Sequence, residues 1–139
     1  MAHPKRFTLK PPKEDAVHRA IANLLNVMAG SPDKPKFMWW HTPNGEHRSK
    51  MAAVKVKAMG GLRGVWDIVL LAPGARLFFI EVKRPTATGR RRKPIENKLS
   101  PEQFDFLDRA GALGVPANQF AVVDDATQVR AVLRRWDLI

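Results

Sequence analysis

Residues 64–83 read GVWDIVLLAPGARLFFIEVK, and this stretch decides the fold. Two apolar runs rich in β-branched and aromatic residues, Asp67–Leu71 and Leu77–Lys83, flank a Pro73-Gly74 turn signal and predict a β-hairpin. Side chains alternate between the faces of a strand, so Ile80 and Val82 point one way and Glu81 and Lys83 the other. Asp67 joins Glu81 and Lys83 only if it pairs with an odd-numbered residue. That requires a loop with an odd number of residues, and three or five around Pro73-Gly74 satisfy it. A two-residue turn would put Asp67 on the wrong face.

Outward from the hairpin, residues 1–13 read as an extended N-terminal arm with Pro4, Pro11 and Pro12, and 14–139 as one domain. A helix is predicted from Glu14 to Met28, because Val17, Ala20, Ile21, Leu24, Leu25 and Met28 recur at helical spacing. Gly30, Ser31, Pro32 and Asp33 stop it. Phe37–His41 reads as a short aromatic strand, Thr42–Gly45 as a turn, and Arg48–Met59 as a helix ended by Gly60-Gly61. Residues 84–98 carry six basic residues and one acid, with Pro85, Gly89 and Pro94, and read as a mobile loop. Ser100, Pro101 and Gln103 stand at the N-cap, N1 and N3 positions of a third helix. Phe104, Leu107 and Ala110 are its expected inward face, and Gly111 and Gly114 punctuate its end. Gln119–Val123 is a last strand, and Asp124 or Asp125 caps a final helix bearing Val129, Val132, Leu133 and Trp136. This order gives an α/β fold with a central mixed sheet flanked by helices.

The chain of 139 residues suits a single core. Its apolar fraction of 45% is ordinary for a globular protein. Cysteine is absent, which excludes a disulfide framework and thiolate metal sites and fits a reducing compartment. No secretory signal and no run of about 18 apolar residues is present, so the expected location is the cytoplasm, of a bacterium or a phage-infected host, with no membrane partner. The formal net charge is +11, from 24 basic and 13 acidic residues. A surplus of that size points to a polyanionic partner, and nucleic acid leads because neutralised phosphates release counterions.

Two carboxylates and an ammonium beside an apolar hairpin suggest a magnesium-dependent phosphodiesterase site. Magnesium is a hard ion that takes oxygen ligands and keeps several waters. Asp67 and Glu81 supply carboxylate oxygens, and the Val82 carbonyl is a third donor. The ion would acidify a water and polarise a phosphate. Lys83 would hold or help activate that water and offset charge in the transition state. A solvated strand face would show the same Glu-x-Lys by chance, so the spatial convergence has to be demonstrated. Glu14 lies about 20° from Ile21 on a helical wheel, toward the buried side, where a carboxylate needs a partner. A metal-bound water or Lys83 would serve, and complementing the helix dipole is the competing explanation. His18, one turn on, reads either as a second-layer or phosphate contact or as an edge-of-core histidine. Gln103 is explained by capping alone or by a role in the site, and the two are compatible.

An ordered set of motifs resembles the PD-(D/E)XK nuclease superfamily, and within it the VRR-NUC domain. The set is Glu14-x-x-Val17-His18, Asn44-Gly45 with a basic helix behind it, Gly60-x-x-x-Gly64-x-x-Asp67, Ile80-Glu81-Val82-Lys83, Leu99-Ser100-Pro101-x-Gln103 and the Gly111–Gly114 turn. The resemblance implies a restriction-endonuclease-like core. It also implies Asp67 and Glu81 as metal ligands, Lys83 as the active-site lysine, Gln103 beside the site, and Glu14 completing the metal shell through water. Manganese would substitute for magnesium. One departure is visible: the family usually has proline before the strand aspartate, and here it is Trp66. Proline donates no ligand, so metal binding is untouched while local backbone and substrate contacts differ.

Arg84, Arg90, Arg91, Arg92 and Lys93 leave directly from the catalytic strand and are expected along phosphates, unless they are a solvated charge run. Arg48, Lys50, Lys55 and Lys57 suggest a second basic surface. Such contacts carry no base sequence, which favours structure-selective over sequence-specific recognition. Of the adjacent Trp39 and Trp40, one is expected toward the core and one toward the surface, and stacking on splayed bases is a further option. Stand-alone domains of the resembled family look like phage Holliday-junction resolvases and tend to be homodimers, which implies branched DNA as substrate. Flaps, nicks or plain duplex are the alternative substrates for the same chemistry. A non-catalytic DNA-binding replication accessory is the alternative of another class.

Overall fold

The hairpin forms with the odd loop that a shared acid face requires. The structure, a computed structural model, describes residues 13–43, 49–85 and 99–139. Its helices are α1 (Glu14–Met28), α2 (Lys50–Ala58), α3 (Pro101–Ala112) and α4 (Ala126–Arg135). Its strands are β1 (Gly30–Ser31), β2 (Lys34–Pro35), β3 (Met38–His41), β4 (Ile68–Ala72), β5 (Arg76–Val82) and β6 (Phe120–Val123). The expected arm, the Asn44-Gly45 turn with Arg48, and the loop bearing Arg90, Arg91, Arg92 and Lys93 lie outside the described residues.

β4 and β5 are antiparallel, with Ile68 opposite Ile80 and Ala72 opposite Arg76. Pro73, Gly74 and Ala75 form the three-residue turn, and Gly74 and Ala75 take left-handed φ of 82° and 58°. The main sheet runs β3-β4-β5-β6, antiparallel except for the parallel pair β5-β6. The crossover between parallel strands passes through α3, as a parallel connection requires.

Alternation along the strands divides the core into two layers. Ile68, Leu70, Phe78, Ile80, Val82 and Val123 pack against α1 and α4 through Val17, Ile21, Leu25, Val129 and Leu133. On the other face, Val69, Phe79 and Phe120 join Trp66 under α3, whose Phe106, Leu107 and Ala110 lie over them. The result is a mixed sheet flanked by helices, the expected fold class.

Local chemistry explains the boundaries. Ser100 accepts from the Gln103 N–H and the Gln103 side chain accepts from the Ser100 N–H, a complete capping box with proline behind it. Asp125, of the two aspartates considered, caps α4. Trp39 packs partly on the first cluster and donates from Nε1 to Asn26 Oδ1 at 3.2 Å, while Trp40 is exposed, so the pair splits as expected.

Several expectations need correcting. Phe104 does not face inward; it is 44% exposed. The stripe over the sheet is Gln103, Phe106, Leu107 and Ala110, and a residue directly after Gln103 is turned about 100° around the helix. Phe37 precedes β3 as a buried residue, and Gln119 closes a short 3-10 helix, Ala117–Gln119, before β6. α2 spans Lys50–Ala58, inside the expected Arg48–Met59, and buries no residue. The segment expected only to stop α1 also pairs as a small β1-β2 hairpin.

Ile80 sits fully buried in the larger cluster, so Ile80→Ala is expected to cost about 2–5 kcal/mol. Phe104→Ala is expected to cost under about 0.5 kcal/mol. Urea denaturation of both variants checks this, and comparable losses would contradict the position of α3.

Candidate active site

At one end of the α3-covered face the sheet changes from apolar to charged. Leu77 and Phe79 on β5 are succeeded in the same row by Glu81 and then Lys83, and the β4 row of Val69 continues back to Asp67. The register that pairs Ile68 with Ile80 places Asp67 opposite Glu81. The Asp67 N–H donates to Glu81 Oε2 at 3.2 Å, and the Val82 N–H donates to Asp67 Oδ2 at 2.9 Å. The Asp67 carbonyl is held from the β3 side by the Thr42 N–H at 2.7 Å, with His41 Nδ1 at 3.0 Å.

Lys83 Nζ lies 3.5 Å from Glu81 Oε1 and donates to Gln103 Oε1 at 3.3 Å. That same Oε1 accepts the Ser100 N–H at 2.9 Å, so capping and site contact are one arrangement of one amide. Residues 64–66 brace the turn from below. Trp66 donates from Nε1 to the Gln103 carbonyl at 3.2 Å. Gly64 has φ 80°, and any side chain there would run into the Glu102 carbonyl.

Glu81 is 3% exposed, yet only Lys83 offers it a counter-charge among these contacts. Burial first, then the adjacent Asp67 carboxylate, push the Glu81 carboxyl up to about 8, against the opposing pull of Lys83. Glu14 is raised as well, by partial burial and then by Asp67. His18 is pushed down, by burial and then by His41, whose ring meets it edge-on at 4.3 Å.

A cleft of about 860 Å³ opens over these groups. Glu14, Asp67, Glu81, Lys83 and Gln103 line it, and so do Lys50 and Lys57 of α2 and Arg63 beyond it. Asp67, Glu81, Lys83 and Gln103 are therefore brought together. Glu14 is exposed at the start of α1, not turned to the buried side as expected, and it shares the cleft without closing a set: among the described residues, no group of three His, Cys, Asp or Glu side chains is placed to hold an ion. Val82 takes part through its N–H. Arg84 is exposed beside Lys13, Glu14 and Asp15, and neither it nor Lys55 lines the cleft. His41 and Arg63 escaped the sequence reading, since neither stands at a spacing that marks it.

The donor set fits a hard divalent cation. Two adjacent carboxyls, one of them held protonated by burial and then by the other, are the arrangement an oxygen-seeking ion relieves, and two protein oxygens plus water satisfy magnesium.

No family model matches the sequence, and no curated protein matches it. A solved structure described as a VRR_NUC domain superposes with a TM-score of 0.50 at 18% identity, over 88% of this chain and 96% of that one. The chain thus has the fold of that domain, with its mixed four-stranded sheet and flanking helices. Among the described residues, no helix is long and apolar enough to cross a membrane.

Between the ordinary value of 4.5 and about 8, folded Glu81 keeps a proton that the unfolded chain has released. The contribution of this group to stability therefore falls as pH rises through that window and is most unfavourable above it. Glu81→Gln is expected to flatten this slope and to be more stable than wild type at pH 9 by on the order of a few kcal/mol. Urea titrations in chelator from pH 5 to 9 measure it, and parallel profiles for the two proteins would show that another group carries the proton.

Proposed function

We propose that this chain is a metal-dependent, structure-selective DNA endonuclease, Holliday-junction resolvase-like, that hydrolyses phosphodiester bonds. The observation that carries the proposal is the convergence of half-buried Asp67 and buried Glu81 with Lys83 in a cleft also lined by Lys50, Lys57 and Arg63. Acids aimed at phosphate weaken pure binding, whereas a bound cation turns them to use. Asp67 and Glu81 would hold magnesium, or manganese in its place, with the Val82 carbonyl as a further oxygen and Glu14 reaching through water. When bound, the ion supplies Lewis acidity toward a phosphate and a water. Lys83 places a positive charge where negative charge develops on the phosphate, and Gln103 holds that ammonium in position.

Recognition on this reading is of backbone. Lys50, Lys57 and Arg63 of the cleft contact phosphates, joined by Arg84 and by Arg48, Arg90, Arg91, Arg92 and Lys93 of the flanking segments. Branched DNA is the proposed substrate and a homodimer the proposed assembly, because a two-fold protein presents two sites to the two symmetric strands of a four-way junction.

Labelled junction, flap, splayed-arm and linear duplex, incubated with magnesium, manganese or chelator, test the reading. Metal-dependent cutting is expected, strongest on the junction. Asp67→Ala and Glu81→Ala are expected to lower it at least about a hundredfold while binding persists. Normal cutting by both variants would refute the site, and tight junction binding with no cutting by wild type would mark a binding protein instead. Because Glu81 must give up its proton, magnesium affinity in calorimetry is expected to rise as pH approaches 8, with proton release visible as a dependence on buffer ionisation heat. Raising salt from 50 to 200 mM is expected to weaken DNA binding steeply, and a flat response would remove the phosphate contacts.

A further inference from the structure

We infer that Trp66 is a positioning residue that sets Lys83 through Gln103. Its consequence for turnover rests on the nuclease reading; its structural part rests on geometry alone. Trp66 immediately precedes Asp67 and is among the largest fully buried side chains of the protein. Its ring meets Phe120 edge-to-face at 5.1 Å, so its place is fixed by the sheet. From there its Nε1–H reaches the Gln103 carbonyl at 3.2 Å. The acceptor is the backbone of the residue whose side chain bonds the Lys83 ammonium, which also pairs with Glu81.

α3 needs such a hold. It has no fully buried residue of its own, and its apolar stripe is only half covered. Gly64 packs against the neighbouring Glu102 carbonyl, so residues 64 and 66 grip adjacent peptides of the first turn of α3. A lysine has four rotatable side-chain bonds and is costly to immobilise. Its 3.3 Å bond to Gln103 tolerates little displacement of the turn that carries the acceptor. The indole supplies a donor from within the hydrophobic layer.

Trp66→Phe keeps an aromatic ring and removes the donor. In metal-free protein, proton–nitrogen spectra are expected to show the Gln103 side-chain amide displaced in Trp66→Phe, with the Gln119 and Gln128 amides unmoved. In wild type, the Trp66 indole N–H is expected to exchange with solvent far more slowly than that of exposed Trp40. In junction cleavage, Trp66→Phe is expected to lower kcat about 2- to 12-fold, the rate equivalent of one neutral hydrogen bond, with KM for DNA and the magnesium midpoint unchanged. The double variant with Gln103→Ala is expected to be no slower than Gln103→Ala alone. An unmoved Gln103 amide, or two losses that add in full, would overturn the inference. Should Trp66→Phe not fold, the wild-type exchange rate decides: an indole as fast as that of Trp40 overturns it, and a protected one supports it. If wild type cuts no DNA while the Gln103 amide moves, the nuclease reading fails and the positioning role stands.

Discussion

The pairing of Asp67 with Glu81 across the β4-β5 hairpin is the constraint on which the site depends. It is set by the length of a turn. With Pro73, Gly74 and Ala75 between the strands, the two acids face α3 together. A shift of one residue would send Asp67 to the α1 and α4 side, into Ile68's layer, and would exchange the apolar rows of β4 between the two core layers. A carboxyl as buried as that of Glu81, set beside that of Asp67, is a standing cost to the fold. Two backbone N–H groups, of Asp67 and Val82, and the Lys83 ammonium offset part of it. The hydrophobic layers above and below the sheet hold the rest in place.

Topology then brings the second half of the site to the first. β5 and β6 are parallel, so α3 must return the chain from the end of β5 to its start, and the helix begins where β5 ends. Its capped N-terminus therefore lies beside Lys83. The capping box that any helix of this sequence would form orients the Gln103 amide, and the same oxygen serves the backbone of Ser100 and the ammonium of Lys83. Local helix chemistry and the chemistry of the cleft share an atom here.

What the sequence disclosed follows from periodicity and punctuation. α1, α4 and the hairpin were legible because their apolar spacings are long and regular, and the caps of α3 and α4 because serine, proline and aspartate stand at defined offsets. The odd loop was legible as a requirement of shared face. Phe104 misled because residues 104, 107 and 110 are also three apart, and only contact with Trp66 and the sheet selects the neighbouring stripe. The β1-β2 hairpin has two-residue strands, too short for any pattern. His41 and Arg63 reach the site through tertiary placement, and Glu14 was legible as a cleft residue while its separation from the acid pair was not.

The crossover has one further mechanical corollary. The chain between Lys83 and Ser100 is attached at both ends to the same few ångströms of structure: it departs from the lysine and re-enters at the cap that aims the glutamine. The two anchors meet in a single 3.3 Å bond, between Lys83 and Gln103. The two chain ends that flank residues 84–98 thus share one contact, and moving either end alone would break it.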